Sequence, residues 1–452
     1  MDFKGKRVLV VGLGKSGVSA ALYLRKLGAR VTVSDSRPGE ALAKEIPALL
    51  DAGVMVESGG HGVLTFRRQD LIVLSPGVPL STPEVQQSQR FGVPIIGEVE
   101  LASLALQGKI IAITGSNGKT TTTSLVGHIL LHAGYETKIG GNIGLPVVEM
   151  VEDSTEKTWS VLEVSSFQLE TIETFRPHIA AVLNITPDHL DRHGSFENYA
   201  AAKARITENQ TPEDFLVLNA EDKPTQMVAA KTKAQIFWFS GVRRVKQGAF
   251  AHNDGIYFIA KEGGTPEPIM PLAEIPLRGA HNVENVLAAI AMAKLAGIAT
   301  DEIREAIASF TAVDHRLQFV AKKRGVEYYN DSKATNVDAT IKALESFPSG
   351  IRLILGGKDK ASDYTQLLPL LKERTVAVYT IGMAADIIAK QIGDQVKLTP
   401  AVTLAEAIRL ASESAQAGET VLLAPACASF DQFTSYEHRG RVFVELVQNL
   451  PN

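Results

Sequence analysis

The ten residues from Thr114 to Thr123 read TGSNGKTTTT and follow the apolar run KIIAI. A glycine loop between a buried strand and a helix aims several backbone N–H groups at one point, which suits a phosphate. Lys119 adds a point charge, and the Thr120 hydroxyl suits Mg²⁺. The strict P-loop has a glycine five residues before Gly118, where Ile113 stands, so this loop is a shortened form. Gly115, Ser116, Asn117, Gly118, Lys119, Thr120 and Thr121 are its expected nucleotide contacts, with ATP or GTP as the ligand. The competing reading is a glycine turn with a solvated lysine.

Other residues of the right types stand at strand ends. GLGKSG (Gly12–Gly17) matches G-x-G-x-x-G, with Asp35 eighteen residues after Gly17. That pattern suits any pyrophosphate nucleotide, or only a tight turn. Glu163 lies near the end of a buried strand, where a carboxylate is costly unless paired or metal-bound, so a magnesium role is expected. Asp188, His189, Asp191 and His193 form either a metal site or a polar loop. Lys203 falls on a helix with Ser195 as N-cap and, taken alone, reads as a surface lysine. Asn282 and Asn285 lie one turn apart near a helix start, placed to read a base or to cap the helix. DHRLQ (Asp314–Gln318), NDSKATN (Asn330–Asn336) and ACASFDQF (Ala426–Phe433) add polar and small residues where α/β proteins bind ligands.

Short Val/Ile/Leu runs alternating with helical stretches must position these groups, which means parallel sheets with helices on both faces. The runs form three series: Arg7–Gly12, Arg30–Asp35 and Asp70–Gly77; then Lys109–Thr114, Ser160–Ser165, Ala180–Thr186 and Phe215–Asp222; then Val326–Asp331, Ile351–Gly357, Val376–Gly382 and Thr420–Ala426. The helix after the phosphate loop should bury Leu125, Val126, Ile129, Leu130 and Ala133. At 452 residues the chain exceeds one core. Three α/β domains are expected: a Rossmann-like 1–97, a central P-loop ATPase-like 98–312 with a mostly parallel sheet, and a Rossmann-like 313–452. A net charge of −4 gives no reason to expect nucleic acid. No apolar run approaches a membrane span, and the N-terminus lacks a signal-peptide pattern. The single cysteine, Cys427, excludes an internal disulfide and suits a reducing compartment. A cytoplasmic protein follows.

The ordered set GLGKSG, SPGVPL, TGSNGKTTTT, GGNIGLP, LEVSSFQLE, NITPDHLDRHG, AAKARI, AHNVENVLAAI, HRLQ, NDSKATN, LGGKDK and APACASFDQF resembles the Mur ligases of peptidoglycan synthesis over essentially the whole chain. SSFQLE, LGGKDK and APACASFDQF point to the D-glutamate-adding branch. The resemblance implies an ATP-dependent ligase that joins D-glutamate to UDP-N-acetylmuramoyl-L-alanine through an acyl phosphate, with no enzyme nucleophile; the oligomeric state is not read from the sequence, with a monomer favoured. It implies that UDP, not NAD, lies against Lys15, Ser16, Asp35, Ser36, Arg37 and Gly77, with Asn142 and Gln168 at the sugar-lactoyl part. Lys119 and Thr120 would hold ATP phosphates and Mg²⁺, and Glu163 and His189 would be magnesium ligands. Lys203 matches the family lysine that becomes carbamylated. Asn282, Asn285, Arg316 and Asp331 would contact the nucleotide, and Thr335, Lys360, Ser429 and Tyr436 would place D-glutamate. Three departures stand out. Lys15–Ser16 replaces a frequent Leu-Thr, Tyr436 replaces a familiar phenylalanine, and Lys358 is an alternative to Lys360. A folylpolyglutamate-type ligase should lack GLGKSG in a UDP-binding first domain, and an NAD-binding or GTPase switch protein would not need both glycine loops with Glu163, His189 and Lys203.

Overall fold

A computed structural model describes residues 2–311 and 314–451. The expected boundary at Ala312 lies outside the described residues. The fold is α/β with three sheets. The first has β1 (Arg7–Val11), β2 (Arg30–Asp35), β3 (Met55–Ser58), β4 (Leu71–Leu74) and β5 (Ile95–Gly97), all parallel in the order β3-β2-β1-β4-β5. Val8, Leu9, Val10 and Val11 of β1 are all buried, as helices on both faces require. The chain then turns through Gly12 (φ 87°) into helix α1 (Lys15–Lys26). A Cβ on Gly17 would lie 1.9 Å from the Gly12 carbonyl oxygen, so packing alone demands that glycine.

The second sheet holds β6 (Lys109–Thr114), β7 (Thr137–Gly141), β8 (Trp159–Glu163), β9 (Ile179–Val182), β10 (Phe215–Asn219), β11 (Gln235–Ser240), β12 (Gly248–His252), β13 (Gly255–Ile259) and β14 (Glu267–Pro271), in the order β14-β13-β12-β11-β10-β9-β6-β8-β7. From β7 to β12 the pairings are parallel, and β12–β13 is antiparallel. Helix α2 (Lys119–His132) leaves β6 and buries Leu125, Val126, Ile129 and Leu130, while Ala133, expected on the same face, is the half-buried C-cap. Helix α3 (Phe196–Ala204) starts at Ser195, whose hydroxyl accepts from the Asn198 N–H as expected.

The third sheet has β15 (Gln318–Lys323), β16 (Val326–Asn330), β17 (Ile351–Gly356), β18 (Thr375–Ile381), β19 (Leu398–Val402) and β20 (Thr420–Leu423), in the order β15-β16-β20-β17-β18-β19, with only β15–β16 antiparallel. Helices α4 (Ala280–Leu295) and α5 (Tyr436–Gln448) carry residues used below. Most expected strands end one to four residues later than the observed ones, because their polar tails leave the ladder as loops.

The chain divides into two compact units. One comprises the residues up to Met270 with Leu287–Ala306, and the other Pro271–Val286 with the residues from Ile307 onward. The five- and nine-stranded sheets share the first unit because one apolar core runs through both, from Val10 and Leu24 through Val99 to Leu162 and Val182. The helix Glu98–Ser103 crosses that core and buries two carboxyls. Glu100 accepts from the N–H groups of Glu173, Thr174 and Phe175 and from the Thr174 hydroxyl. Glu98 Oε1 accepts from the Val148 N–H at 2.8 Å, while Oε2 is buried without a partner. Among the described residues no helix is long and apolar enough to cross a membrane.

Burial, opposed by the Val148 and Val147 N–H groups, pushes the Glu98 pKa up to about 7 from 4.5. The folded state therefore holds this proton more tightly than the unfolded state, and stability is lost as pH rises from 4.5 through 7. The loss is on the order of 3 kcal/mol. Glu98→Gln, which cannot ionise, should flatten that dependence. Urea unfolding at pH 5 and pH 8 should show the wild-type protein losing more stability between the two than the variant does.

Candidate active site

The glycine loop at residues 115–121 is fastened by its own neighbours. Gly118 takes φ 82°, a left-handed conformation that glycine adopts without strain, and starts α2. Asn184, in the loop after β9, accepts from the Asn117 N–H with Oδ1 at 2.8 Å and donates from Nδ2 to the Asn117 carbonyl at 3.2 Å. The Ser116 N–H bonds the Asn184 carbonyl at 2.9 Å. The Ser116 hydroxyl reaches Tyr199 of α3 at 2.9 Å.

Two lysine side-chain nitrogens meet on one oxygen of this loop. Lys119 Nζ donates to the Gly115 carbonyl at 2.7 Å and to the Ser116 carbonyl at 2.8 Å. Lys203 Nζ donates to the same Gly115 carbonyl at 2.8 Å and lies 4.6 Å from the centre of the Tyr199 ring. Lys203 is 2% exposed, so the surface position read from its helix alone is wrong. Tyr199, Ser116 and the loop bury it because α3 packs that face against the P-loop. Burial and then repulsion from Lys119 hold its pKa well below the usual lysine value, against the pull of Asp188 and Glu163. The ammonium form is thus disfavoured there.

Glu163 is 1% exposed, and its oxygens accept from Thr120 Oγ1 at 2.7 Å and Asn142 Nδ2 at 2.9 Å. The structure thus brings together Lys119 and Thr120 of α2, Glu163 of β8 and Lys203 of α3, from three elements. His189 (φ 52°) is placed by Asp188, whose Oδ1 accepts its N–H at 2.9 Å, and by the Phe167 ring 4.9 Å away. Of its polar neighbours, Asp191 is exposed. His193 turns inward to Ser166 Oγ (3.0 Å) and Glu170 (3.3 Å), which makes it a packing residue.

Around the first glycine loop, Lys15, Ser16, Pro76, Asn142 and Gln168 line a cleft of about 140 Å³, and Lys15 Nζ spans it to the Gly144 carbonyl at 2.7 Å. Asp35 is already engaged. It accepts from the Leu13 N–H at 2.7 Å and from the backbone and guanidinium of Arg37. Burial works to raise its pKa, but the Arg37 and Leu13 bonds overcome that and hold it at about 2. Ser36, Arg37 and Gly77 are exposed nearby. Gln168 closes a capping box with Ser165.

The remaining expected contacts lie in the second unit. Asn282 does not cap α4. Its Nδ2 donates backward to the Arg278 carbonyl at 2.6 Å, and its Oδ1 accepts from Asn285 at 3.0 Å. Asp331 directly follows β16, and burial raises its pKa to about 7 against the pull of Arg316. Ser429 is buried, and Thr335 and Tyr436 are half-buried. Lys358 and Lys360 are both exposed on one loop, so the choice between them stays open.

Residues 6–97 match the Mur ligase MurD-like N-terminal domain, residues 113–293 the Mur ligase middle domain, and residues 315–427 the Mur ligase glutamate ligase domain. Over 447 residues the chain is 63% identical to the UDP-N-acetylmuramoylalanine--D-glutamate ligase of Acidobacterium capsulatum, covering 99% of this chain and 97% of that one. The chain belongs to the Mur ligase family. The like-named ligase of Koribacter versatilis is 58% identical, covering 100% of this chain and 99% of its own. Among solved structures, the UDP-N-acetylmuramate-alanine ligase MurC of Thermotoga maritima has a TM-score of 0.63 at 21% identity, covering 98% of this chain and 99% of that chain. The MurF ligase of the same organism, solved with ADP, has a TM-score of 0.60 at 16% identity, covering 99% and 97%. These two show that the Mur ligase fold is shared.

Asn184 and Tyr199, which hold this Mur ligase's phosphate loop, escape a sequence reading. One is a single asparagine in a polar loop and the other an aromatic on a helix, and neither spacing points at Gly115. Asn184→Ala should remove two bonds to Asn117 and loosen the loop. The expected result is a roughly tenfold rise in KM for ATP with about 1–2 kcal/mol lost in stability, read by steady-state kinetics and urea unfolding.

Proposed function

We propose that this Mur ligase joins D-glutamate to UDP-N-acetylmuramoyl-L-alanine at the expense of ATP, in peptidoglycan precursor synthesis. The names of the relatives at 63% and 58% identity support the substrates. The observation that carries the chemistry is the pair of lysines on the Gly115 carbonyl beside Glu163 and Thr120.

In this reading an oxygen of the substrate carboxylate attacks the γ-phosphorus of ATP and ADP leaves. The amine nitrogen of D-glutamate then attacks the acyl carbon, phosphate leaves and the nitrogen gives up a proton. Catalysis is positioning and charge neutralisation, because no covalent bond to the protein forms. Lys119 exchanges its two carbonyl partners for phosphate oxygens. Loop N–H groups from Gly115 to Thr121 surround the phosphates, and Asn282, Asn285, Arg316 and Asp331 are assigned to the nucleotide.

The residues fit a divalent ion once Lys203 is modified. Among the described residues no cluster of three or more His, Cys, Asp or Glu side chains could hold a metal. Thr120 Oγ1 and Glu163 Oε2, 2.7 Å apart, are two oxygen donors at the loop. With its pKa lowered, the Lys203 amine can lose its proton and add CO₂, releasing a second proton, and the carbamate would supply an anionic oxygen donor where a cation is disfavoured. Thr120, Glu163, His189 and carbamylated Lys203 would hold Mg²⁺, which supplies neutralisation of the phosphate charge.

UDP is assigned to Lys15, Ser16, Asp35, Ser36, Arg37 and Gly77, the sugar-lactoyl part to Asn142 and Gln168, and D-glutamate to Thr335, Lys360, Ser429 and Tyr436. Domains 1–97, 98–312 and 313–452 would take the UDP part, ATP and the amino acid. UDP-linked substrate and ATP place the reaction in the cytoplasm.

Phosphate release from ATP should require both D-glutamate and UDP-N-acetylmuramoyl-L-alanine; release with either one alone would refute the proposal. Lys119→Ala should lose on the order of 10²–10³-fold in kcat with the fold intact by circular dichroism. Lys203→Ala should lose a comparable factor and regain activity with formate or acetate. Carbon-13 NMR of the wild-type protein in labelled bicarbonate should show a carbamate signal that Lys203→Ala lacks.

A further inference from the structure

Arg439 is the largest fully buried side chain among the described residues, with no exposed surface. It lies one turn into α5, near that helix's positive end. Nε donates to the Ser332 hydroxyl at 2.9 Å and Nη2 to the Ser332 carbonyl at 2.7 Å. Nη1 donates to the carbonyls of Cys427 (3.1 Å) and Ala428 (3.4 Å). All four acceptors are neutral, and Asp431 acts on the guanidinium only through space. A third loop closes over it. A Cβ on Gly357 would come within 3.2 Å of Nη1, and Lys358 and Ala428 exchange backbone bonds at 2.8 and 3.1 Å.

These are the loops after β16, β17 and β20, and the Ser332 hydroxyl also donates to the Tyr436 carbonyl at 2.8 Å. A buried charge whose hydrogen-bond acceptors are all neutral is costly, a helix N-terminus adds to the positive field, and Asp431 offsets it only through space. We propose that Arg439 is the positioning residue of the amino-acid pocket: its fork bonds the loops after β16 and β20, to which the loop after β17 is paired, and its charge, whose four acceptors are neutral, favours the carboxylates of D-glutamate. This rests on the assignment of D-glutamate to Thr335, Lys360, Ser429 and Tyr436. It adds a residue that touches no substrate and a reason for the pocket to take a dicarboxylate.

The test is steady-state kinetics on Arg439→Met, which keeps the length and removes the charge, and Arg439→Lys, which keeps the charge and loses the fork. Fold is checked by circular dichroism, and each substrate is varied with the others saturating. The KM for D-glutamate should rise by roughly 30-fold or more in Arg439→Met and by a smaller factor in Arg439→Lys, while the KM for ATP changes less than threefold. An unchanged D-glutamate KM in folded variants, or equal losses for D-glutamate and ATP, would overturn the proposal. If neither Arg439 variant folds, Ser332→Ala decides, since it removes one acceptor and leaves the charge. A rise of about threefold in D-glutamate KM supports the proposal and no change overturns it. Ser429→Ala and Thr335→Ala test the underlying assignment separately. If they leave the D-glutamate KM unchanged while the Arg439 variants raise it, that assignment fails and the positioning role stands; the reverse pattern sinks the role alone.

Discussion

A single carbonyl oxygen, that of Gly115, receives both Lys119 and Lys203. Two lysines on one oxygen in a buried site repel each other as ammonium groups, and the repulsion falls on the more buried one. Lys203, with the Tyr199 ring against it and 2% exposure, has its pKa pushed well below the usual lysine value by burial and then by Lys119. Lys119 is held folded back on the carbonyls of Gly115 and Ser116. Glu163, bonded to Thr120, pulls the other way on Lys203.

Most side chains assigned to ligands are already bonded within the chain. Asp35 holds Leu13 and Arg37, Gln168 caps the turn after β8, Asn142 holds Glu163, and Lys15 reaches Gly144. Side chains held this way have little freedom left to lose, which suits a site that must keep its geometry.

Buried charge organises both compact units by the same physics. In the first, the Glu100 carboxylate gathers three backbone N–H groups and a hydroxyl, fixing the turn at residues 173–175. In the second, the Arg439 guanidinium gathers four oxygens from two loops. Each ion replaces its lost hydration with fixed dipoles. One apolar core runs from Val10 to Val182, and it makes the first two sheets a single packed body although each has its own strand order.

Periodicity made the parallel strands and their glycine loops legible. β1, β2, β6 and β20 are short runs of branched apolar residues, and such runs pair only inside a doubly covered sheet. Half-exposed or glycine-bearing strands such as β3, β7 and β12 were not legible, because their residues become strands only through the neighbours they pair with. The motifs located the P-loop, Glu163 and the Ser195 cap, since each depends on spacing along the chain. The sequence resemblance also marked Lys203, which its own helix would place on the surface. Only the tertiary structure decided that Lys203 shares an oxygen with Lys119, that Asn184 and Tyr199 fasten the loop, and that Arg439 lies under three others. Those contacts join residues as far apart as 107 positions. Burial, proximity and the pKa shifts they cause belong to the packed chain, and no local pattern carries them.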